Sequence, residues 1–221
     1  MRKIIIFLLA SLLCFSVYAA VTKSGATVDA WQNIAANSVL EGATSTITGN
    51  YQTNLVVAGA LNSTTATTNG LKIIVQVSAA TSGNNTWYTL TEFGALSGVT
   101  AGSVNGTNSM PSGWLGGNVI NCTTTAGLAN STWLFVSGDT LATSELVFQT
   151  SRTAVGVGNI TLLNLPEQTH TANYTVWNQT FSQTISIPDV ASRVRVIYDN
   201  KQDATGSATI VTSSILNITG I

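Results

Sequence analysis

What most constrains this chain is an alternation of apolar and polar residues that keeps returning along its 221 residues. In FSQTISI, Phe181, Ile185 and Ile187 fall on one face, while Ser182, Thr184 and Ser186 fall on the other. In RVRVIY, Val194, Val196 and Tyr198 line up opposite Arg193 and Arg195. A period of two belongs to an extended strand with one dry face, because successive side chains on a pleated backbone point to opposite sides. The runs TWYTLTEF, LKIIVQV, TWLFVS, ELVFQTS and ATIVTSSILNI read the same way. Clusters such as SGNN, VNGTNSMPSG and DNKQDATG separate them and supply turn chemistry. Helix-favouring Leu, Glu, Lys and Arg are sparse, while Thr, Val, Ile and Gly abound. The expected fold is all-β: an antiparallel β-sandwich, jelly-roll-like, forming a single domain over residues 31–221.

The first 19 residues follow a different logic. Arg2 and Lys3 give a basic start, Ile4 to Phe15 a short apolar run, and Val17-Tyr18-Ala19 a small-x-small cleavage pattern. This reads as a secretory signal peptide over 1–19, removed after Ala19. The apolar run is too short to span a bilayer, and no later stretch stays apolar for the ~20 residues a spanning helix needs. Leu13 stands where a lipoprotein signal before Cys14 would carry a small residue. Residues 20–30 are small and polar and are expected to form a flexible N-terminal arm. Residues 94–127 are rich in Gly, Ser, Thr and Asn. They are expected to make a long excursion with one strand near Val119 to Cys122, the place to look for a binding region.

Charge narrows the partners. Without the leader, Lys plus Arg falls from 8 to 6 against 9 Asp plus Glu, a net charge of −3. Nucleic acid is not expected, since it requires a basic face to neutralise phosphate. Charged residues make up only 8% of the chain, against ~25% in ordinary soluble domains. Hydroxyls and amides wet the surface in their place, but they do not hold neighbouring molecules apart. Such a surface suits a protein that associates, or one covered by glycan. One cysteine, Cys122, survives processing, so no intramolecular disulfide can form. It reads as a small buried hydrophobe, and stability must come from the core.

Chemistry-bearing constellations are thin. The single histidine, His170, lies in polar EQTHTANYT and reads as an exposed loop residue. No Gly-x-Ser-x-Gly elbow, Walker loop or dinucleotide glycine pattern accompanies it, and one His with one Cys cannot hold zinc. Glu92, beside Phe93 and near Trp87, is the best candidate for a buried acid of the two-carboxylate kind a glycosidase needs. Asp199, Asn200 and Asp203 in the DNKQDATG turn are oxygen ligands of the kind calcium takes, without EF-hand spacing. A hairpin whose Asx side chains bond their own backbone explains them as well. No cofactor is expected. Trp87, Trp133 and Trp177 sit in strand patterns and read as core, whereas Trp114, in PSGWLGG, sits in a loop and is the sugar-stacking candidate.

Nine Asn-x-Ser/Thr triplets occur, at Asn62, Asn84, Asn105, Asn121, Asn130, Asn159, Asn173, Asn178 and Asn217. Roughly five would arise by chance in so Asn-, Ser- and Thr-rich a chain. Asn62, Asn84, Asn105 and Asn130 fall in expected loops and are glycosylation candidates. Asn178 joins them only if the strand through NYTVWNQT breaks at Asn178-Gln179. In an unbroken strand Asn173 and Asn178 would lie on opposite faces, and the break is the expectation.

Two stretches, TWLFVSGDTLATSELVFQ and RVRVIYDNKQDATGSATIVTSSIL, with YTLTEF upstream, resemble a loose group of uncharacterised β-rich phage and environmental proteins regarded as virion components. The resemblance implies a non-enzymatic structural subunit. The secretory leader departs from that group and points to an exported relative. In overall style the chain also looks like secreted β-sandwich subunits of extracellular fibres. In those fibres an arm adds a strand to the next subunit, yet AVTKSGATV offers only Ala20, Val21 and Val28 for insertion. The expected function is a secreted, self-associating structural protein: an extracellular filament, surface-layer or virion-like subunit. The alternative is a carbohydrate-binding or adhesion module, and a glycoside-active enzyme comes third.

Overall fold

The computed structural model describes residues 22–48, 52–83, 86–100, 102–113, 118–153, 157–201 and 210–220. Fifteen strands and one 3-10 turn are described, and every strand pairing is antiparallel. The N-terminal group is β1 (Thr22–Ile34), β2 (Val39–Glu41), β3 (Ser45–Thr46), β4 (Gln52–Leu61), β5 (Leu71–Ser78) and β6 (Tyr88–Ala95). The middle group is β7 (Ser103–Asn105), β8 (Val119–Cys122), β9 (Thr132–Val136), β10 (Glu145–Arg152), β11 (Gly158–Leu162) and β12 (Thr175–Trp177). The C-terminal group is β13 (Thr180–Ile187), β14 (Arg193–Asp199) and β15 (Ile210–Gly220).

The outer groups build a sandwich. One sheet runs β1-β15-β4-β13 and the other β2-β14-β5-β6, with β3 also on β14. Counting only sandwich strands in chain order, and β2 with β3 as one, the sheets read first–eighth–third–sixth and second–seventh–fourth–fifth. That order is a jelly roll, two Greek keys wound together. Leu55, Val57, Leu61, Ile73, Val75, Val194, Val196, Tyr198, Ile210 and Leu216 fill the space between the sheets. The alternation in RVRVIY thus points Val194, Val196 and Tyr198 inward. On the other face Arg195 pairs with Glu41 and lies 4.4 Å over the Trp87 ring. Trp87 is therefore half-buried on the outside of its sheet and is not a core residue. Arg193, also stacked on Trp87, donates to the carbonyls of Ala80 and Gly83 and pins the β5–β6 connection.

The expectation of one sandwich differs from what the chain builds. Between β6 and β13 it makes a second core. The middle strands run β7-β12-β9-β10-β11-β8, and the Gly106–Cys122 bridge joins β7 back to β8. Thr107 N–H donates to Asn121 O at 2.6 Å, and Thr123 N–H to Asn105 O at 3.0 Å. The sheet is thereby closed into a small barrel filled by Ile120, Leu134, Val136, Val147, Ile160 and Val176. Among the described residues, closure pairs the two end strands of this sheet with each other. Gly106 is required at the seam, since a Cβ there would lie 2.3 Å from the Tyr174 ring. The Gly- and Asn-rich stretch 94–127 is therefore the entry to a barrel. Its strand near Val119 to Cys122 is β8, joined by β7.

The N-terminal arm also differs. From Thr22 on, residues 20–30 belong to β1, paired with β15 from Thr22↔Gly220 onward. Register shifts around Asp29 break the alternation that would have marked this strand. Its backbone groups find partners in the last strand of the chain.

Candidate functional site

Barrel and sandwich meet on the outer face of the β1-β15-β4-β13 sheet. Ala60 and Val211 from the sheet and Phe135 from β9 form a small buried cluster, with Trp31, Leu141, Leu146 and Trp177 around it. Trp31 leans on Phe135 with ring centroids 4.9 Å apart. Beside this contact the two units diverge and leave a cleft of about 520 Å³. The sheet floors it with the small side chains of Ala58, Ser182 and Ser213, flanked by Val56 and Ile215. Trp31 and Trp133 wall it, and Asn164, Glu167 and Gln168 stand at the rim.

Trp133, expected in the core, is 43% exposed. Alternation in β9 sends Leu134 and Val136 into the barrel and turns Trp133 and Phe135 outward. An edge-on contact with Phe148, centroids 5.4 Å apart, holds the exposed indole in place.

Two of the acidic residues bordering the cleft turn their carboxylates into the fold. Asp29 accepts from Ala43 N–H at 2.7 Å, Ser214 Oγ–H at 2.7 Å and Tyr198 Oη–H at 3.1 Å. Burial first, and the Asp29 charge second, push the Tyr198 phenol well above its ordinary value. Glu145 accepts from the Glu167 and Gln168 amides at 2.8 and 3.2 Å and from His170 Nε2 at 2.7 Å. His170 corrects the expectation of an exposed loop residue: it is fully buried. A backbone bridge to Met110 turns its loop into a further rung of the barrel. Glu145 and His170 thus lock the cleft's rim loop to β10. Glu167 is exposed at that rim.

Glu92 is not a buried acid. It lies on the outer face of the other sheet, largely exposed, paired to Lys72 at 2.9 Å. Of the calcium candidates, Asp199 accepts from Lys201 N–H at 3.0 Å, and buried Asn200 gives its amide N–H groups to Ile34 O and Ala35 O. These are the contacts of a stapled turn, while Asp203 lies outside the described residues. Trp114 and Asn84 also lie outside them. Asn62 is half-buried just after β4, Asn130 is exposed in a bend, and Asn105 is exposed at the end of β7 rather than in a loop. The strand through NYTVWNQT breaks at Asn178-Gln179, between β12 and β13. At that break Asn178 Oδ1 accepts from Gly102 N–H at 2.8 Å and Nδ2 donates to Gly127 O at 2.7 Å. Asn178 thereby clamps the two strands that connect barrel and sandwich. Cys122 is buried in the barrel, as expected of a small hydrophobe, and burial pushes its thiol from 9.0 up to about 11.

The sandwich edges form a second feature. β2 is short; β6 faces β5 across a register shift and carries Glu92; β1 has two register shifts and an inward-pointing Asp29. Each is a known device against edge-to-edge pairing. β13 has none of them. It pairs β4 without a break from Thr180↔Ala60 to Ile187↔Thr53, and from Thr180 to Ile187 it contains no charge and no proline. Ser182, Gln183, Thr184 and Ser186 are exposed.

No family model matches the chain, and no curated protein does. Among solved structures, similar chains include the VP2 subviral particle of infectious bursal disease virus, at TM-score 0.25 and 9% identity. That match covers 92% of this chain and 42% of VP2. VP17, a capsid protein of bacteriophage P23-77, is similar at TM-score 0.17 and 12% identity, covering 92% of this chain and 100% of VP17. This chain therefore spans less than half the length of VP2. The jelly-roll assignment rests on the strand order of the two sheets.

Proposed function

We propose that this protein is a secreted, non-enzymatic structural subunit that associates with copies of itself, as part of an extracellular filament, surface layer or virion-like shell. One observation carries the reading. Of the four sandwich edges, β13 alone is long, regular and uncharged, while the others bear protections. A strand edge of this kind presents a row of backbone donors and acceptors that a strand from a second copy can complete. A chain with only 8% charged residues puts little repulsion in the way. The leader read from the first 19 residues supports export. For a non-enzymatic role, the support is that the Asp29 and Glu145 carboxylates are saturated by structural hydrogen bonds and Glu92 is paired on an open face.

The test is sedimentation velocity and electron microscopy of the chain from residue 20 onward, over a concentration series and with pH and calcium varied. Ordered oligomers are expected. Thr184→Lys, which places a charge at the exposed middle of β13, should return them to monomers with far-UV circular dichroism unchanged. A strictly monomeric profile at every concentration sinks the reading. Assembly that ignores Thr184→Lys removes β13 as its basis.

A further inference from the structure

We propose that the cleft between sandwich and barrel is a binding site for a neutral carbohydrate, with the Trp133 indole as its stacking platform. The cleft shares Ser182 with β13, whereas its two tryptophans lie on β1 and β9, so binding is read through Trp133 and self-association through Thr184.

The shape comes first. At about 520 Å³, the cleft falls within the ~300–1,000 Å³ usual for small-molecule sites. On its floor the row Ser182, Ala58 and Ser213 carries side chains too short to obstruct a flat ligand, and the branched Val56 and Ile215 flank that row. An indole stands on either side. Trp31 is braced on Phe135 and Trp133 on Phe148, so both platforms are held rigid before any ligand arrives. A rigid exposed aromatic face is what the C–H face of a pyranose ring stacks on, and preorganisation spares the ordering cost of binding. A large aromatic 43% exposed on a closed barrel is also a poor use of a tryptophan as packing.

The chemistry of the rim selects the ligand class. Among the described lining residues there is no Lys, Arg or His, so nothing there neutralises an anion. The polar residues are hydroxyl-bearing (Thr27, Ser144, Ser182, Ser213), amides (Asn164, Gln168) and the exposed Glu167, besides the occupied Asp29 and Glu145. Hydroxyl-rich neutral ligands match that set, since each hydroxyl can donate to a carboxylate or amide oxygen and accept from an amide N–H. Asp29 and Glu145 have their oxygens filled by the fold itself, which argues for binding without cleavage. The rim holds its shape because Glu145 takes up the Glu167 and Gln168 backbone amides. Those two side chains are thus presented from a pinned loop.

The experiment uses the chain from residue 20 onward. It would be titrated with neutral oligosaccharides (malto-, cello-, chito-, xylo- and manno-hexaoses), with heparin fragments and an unstructured peptide library as competing classes. Tryptophan fluorescence and calorimetry supply the readouts. The expected result is saturable binding of at least one neutral glycan with indole fluorescence perturbed. Trp133→Ala should weaken it by ~30-fold or more, the scale of a central aromatic anchor, and Trp133→Phe should restore part of the loss. Trp87→Ala, altered on the remote sheet, should leave it unchanged. Trp133→Ala must keep the parent melting temperature within a few degrees; if it does not, Ser182→Trp, which fills the floor, replaces it and should abolish binding. The proposal is overturned by no neutral glycan binding at millimolar concentration, by preference for heparin or peptide, or by glycan binding that survives both cleft variants.

Discussion

Cys122 shows how a single side chain reports its surroundings. It points into the barrel beside Ile120 and Tyr174, and its burial raises the thiol from 9.0 to about 11. The unfolded chain therefore loses that proton near pH 9 while the folded chain holds it. Stability contributed by Cys122 is complete below pH 9 and declines as pH rises toward 11. Urea unfolding of the parent and of Cys122→Ala should show the difference as a shallower alkaline limb in the variant. Tyr198, also pushed upward by burial, keeps its share in both proteins, while Tyr174, raised by burial first and the Cys122 charge second, loses part of its own in the variant. The folded thiol should also resist a thiol reagent until the chain unfolds, which leaves Cys122 unsuited to bridging subunits. Burial of this cysteine could be anticipated from one odd thiol in an apolar strand. His170 could not. Its neighbours in the sequence are polar, and only the backbone bridge to Met110, 60 positions earlier, closes it in.

At the scale of elements, alternation marks strands that have one dry face. β5, β9, β10, β13, β14 and β15 are visible in LKIIVQV, TWLFVS, ELVFQTS, FSQTISI, RVRVIY and ATIVTSSILNI. β4 is not, because LVVAGAL is apolar on both sides. Its inward residues face the sandwich core, and Ala58 and Ala60 face the barrel. A strand covered on both faces loses its period. β7 is too short to show one, β8 shows only as the short stretch Val119 to Cys122, and barrel closure depends on pairings between residues distant in sequence. Gly106 makes that closure testable. Replacing it with Ala places a methyl against the Tyr174 ring, which is itself held by the Oη–H contact to Met110 Sδ at 2.8 Å. Overpacking of this kind costs ~1–3 kcal/mol. In a Tyr174→Leu background the same change should cost clearly less, because the obstructing ring is gone. A double-mutant cycle by urea denaturation measures the coupling, and additive costs would remove Tyr174 as the reason for the glycine.

For the whole molecule, the connection between the two units decides how independent they are. Chain enters the barrel at Gly102 and leaves it at Asn178, and those residues are joined by a 2.8 Å hydrogen bond. The barrel is thus an insertion whose ends meet, the arrangement in which a domain can be added or removed without stretching its host. Each unit has its own apolar core, and the cluster joining them holds few fully buried residues. A boundary so lightly packed should uncouple before either core melts. Calorimetry of the chain from residue 20 onward should therefore resolve two transitions, with the barrel, the smaller unit, unfolding first. The companion experiment deletes residues 103–177 and joins Gly102 to Asn178 through a short Gly/Ser linker. That chain should keep a cooperative transition and a β-type circular dichroism spectrum. It should be less soluble than the parent, because excision uncovers Trp31, Ala60 and Val211. It should also retain assembly through β13, which lies wholly in the sandwich, while losing the Trp133 platform. One transition in the intact chain, together with failure of the excised sandwich to fold, would mean that sheet and barrel form a single cooperative unit.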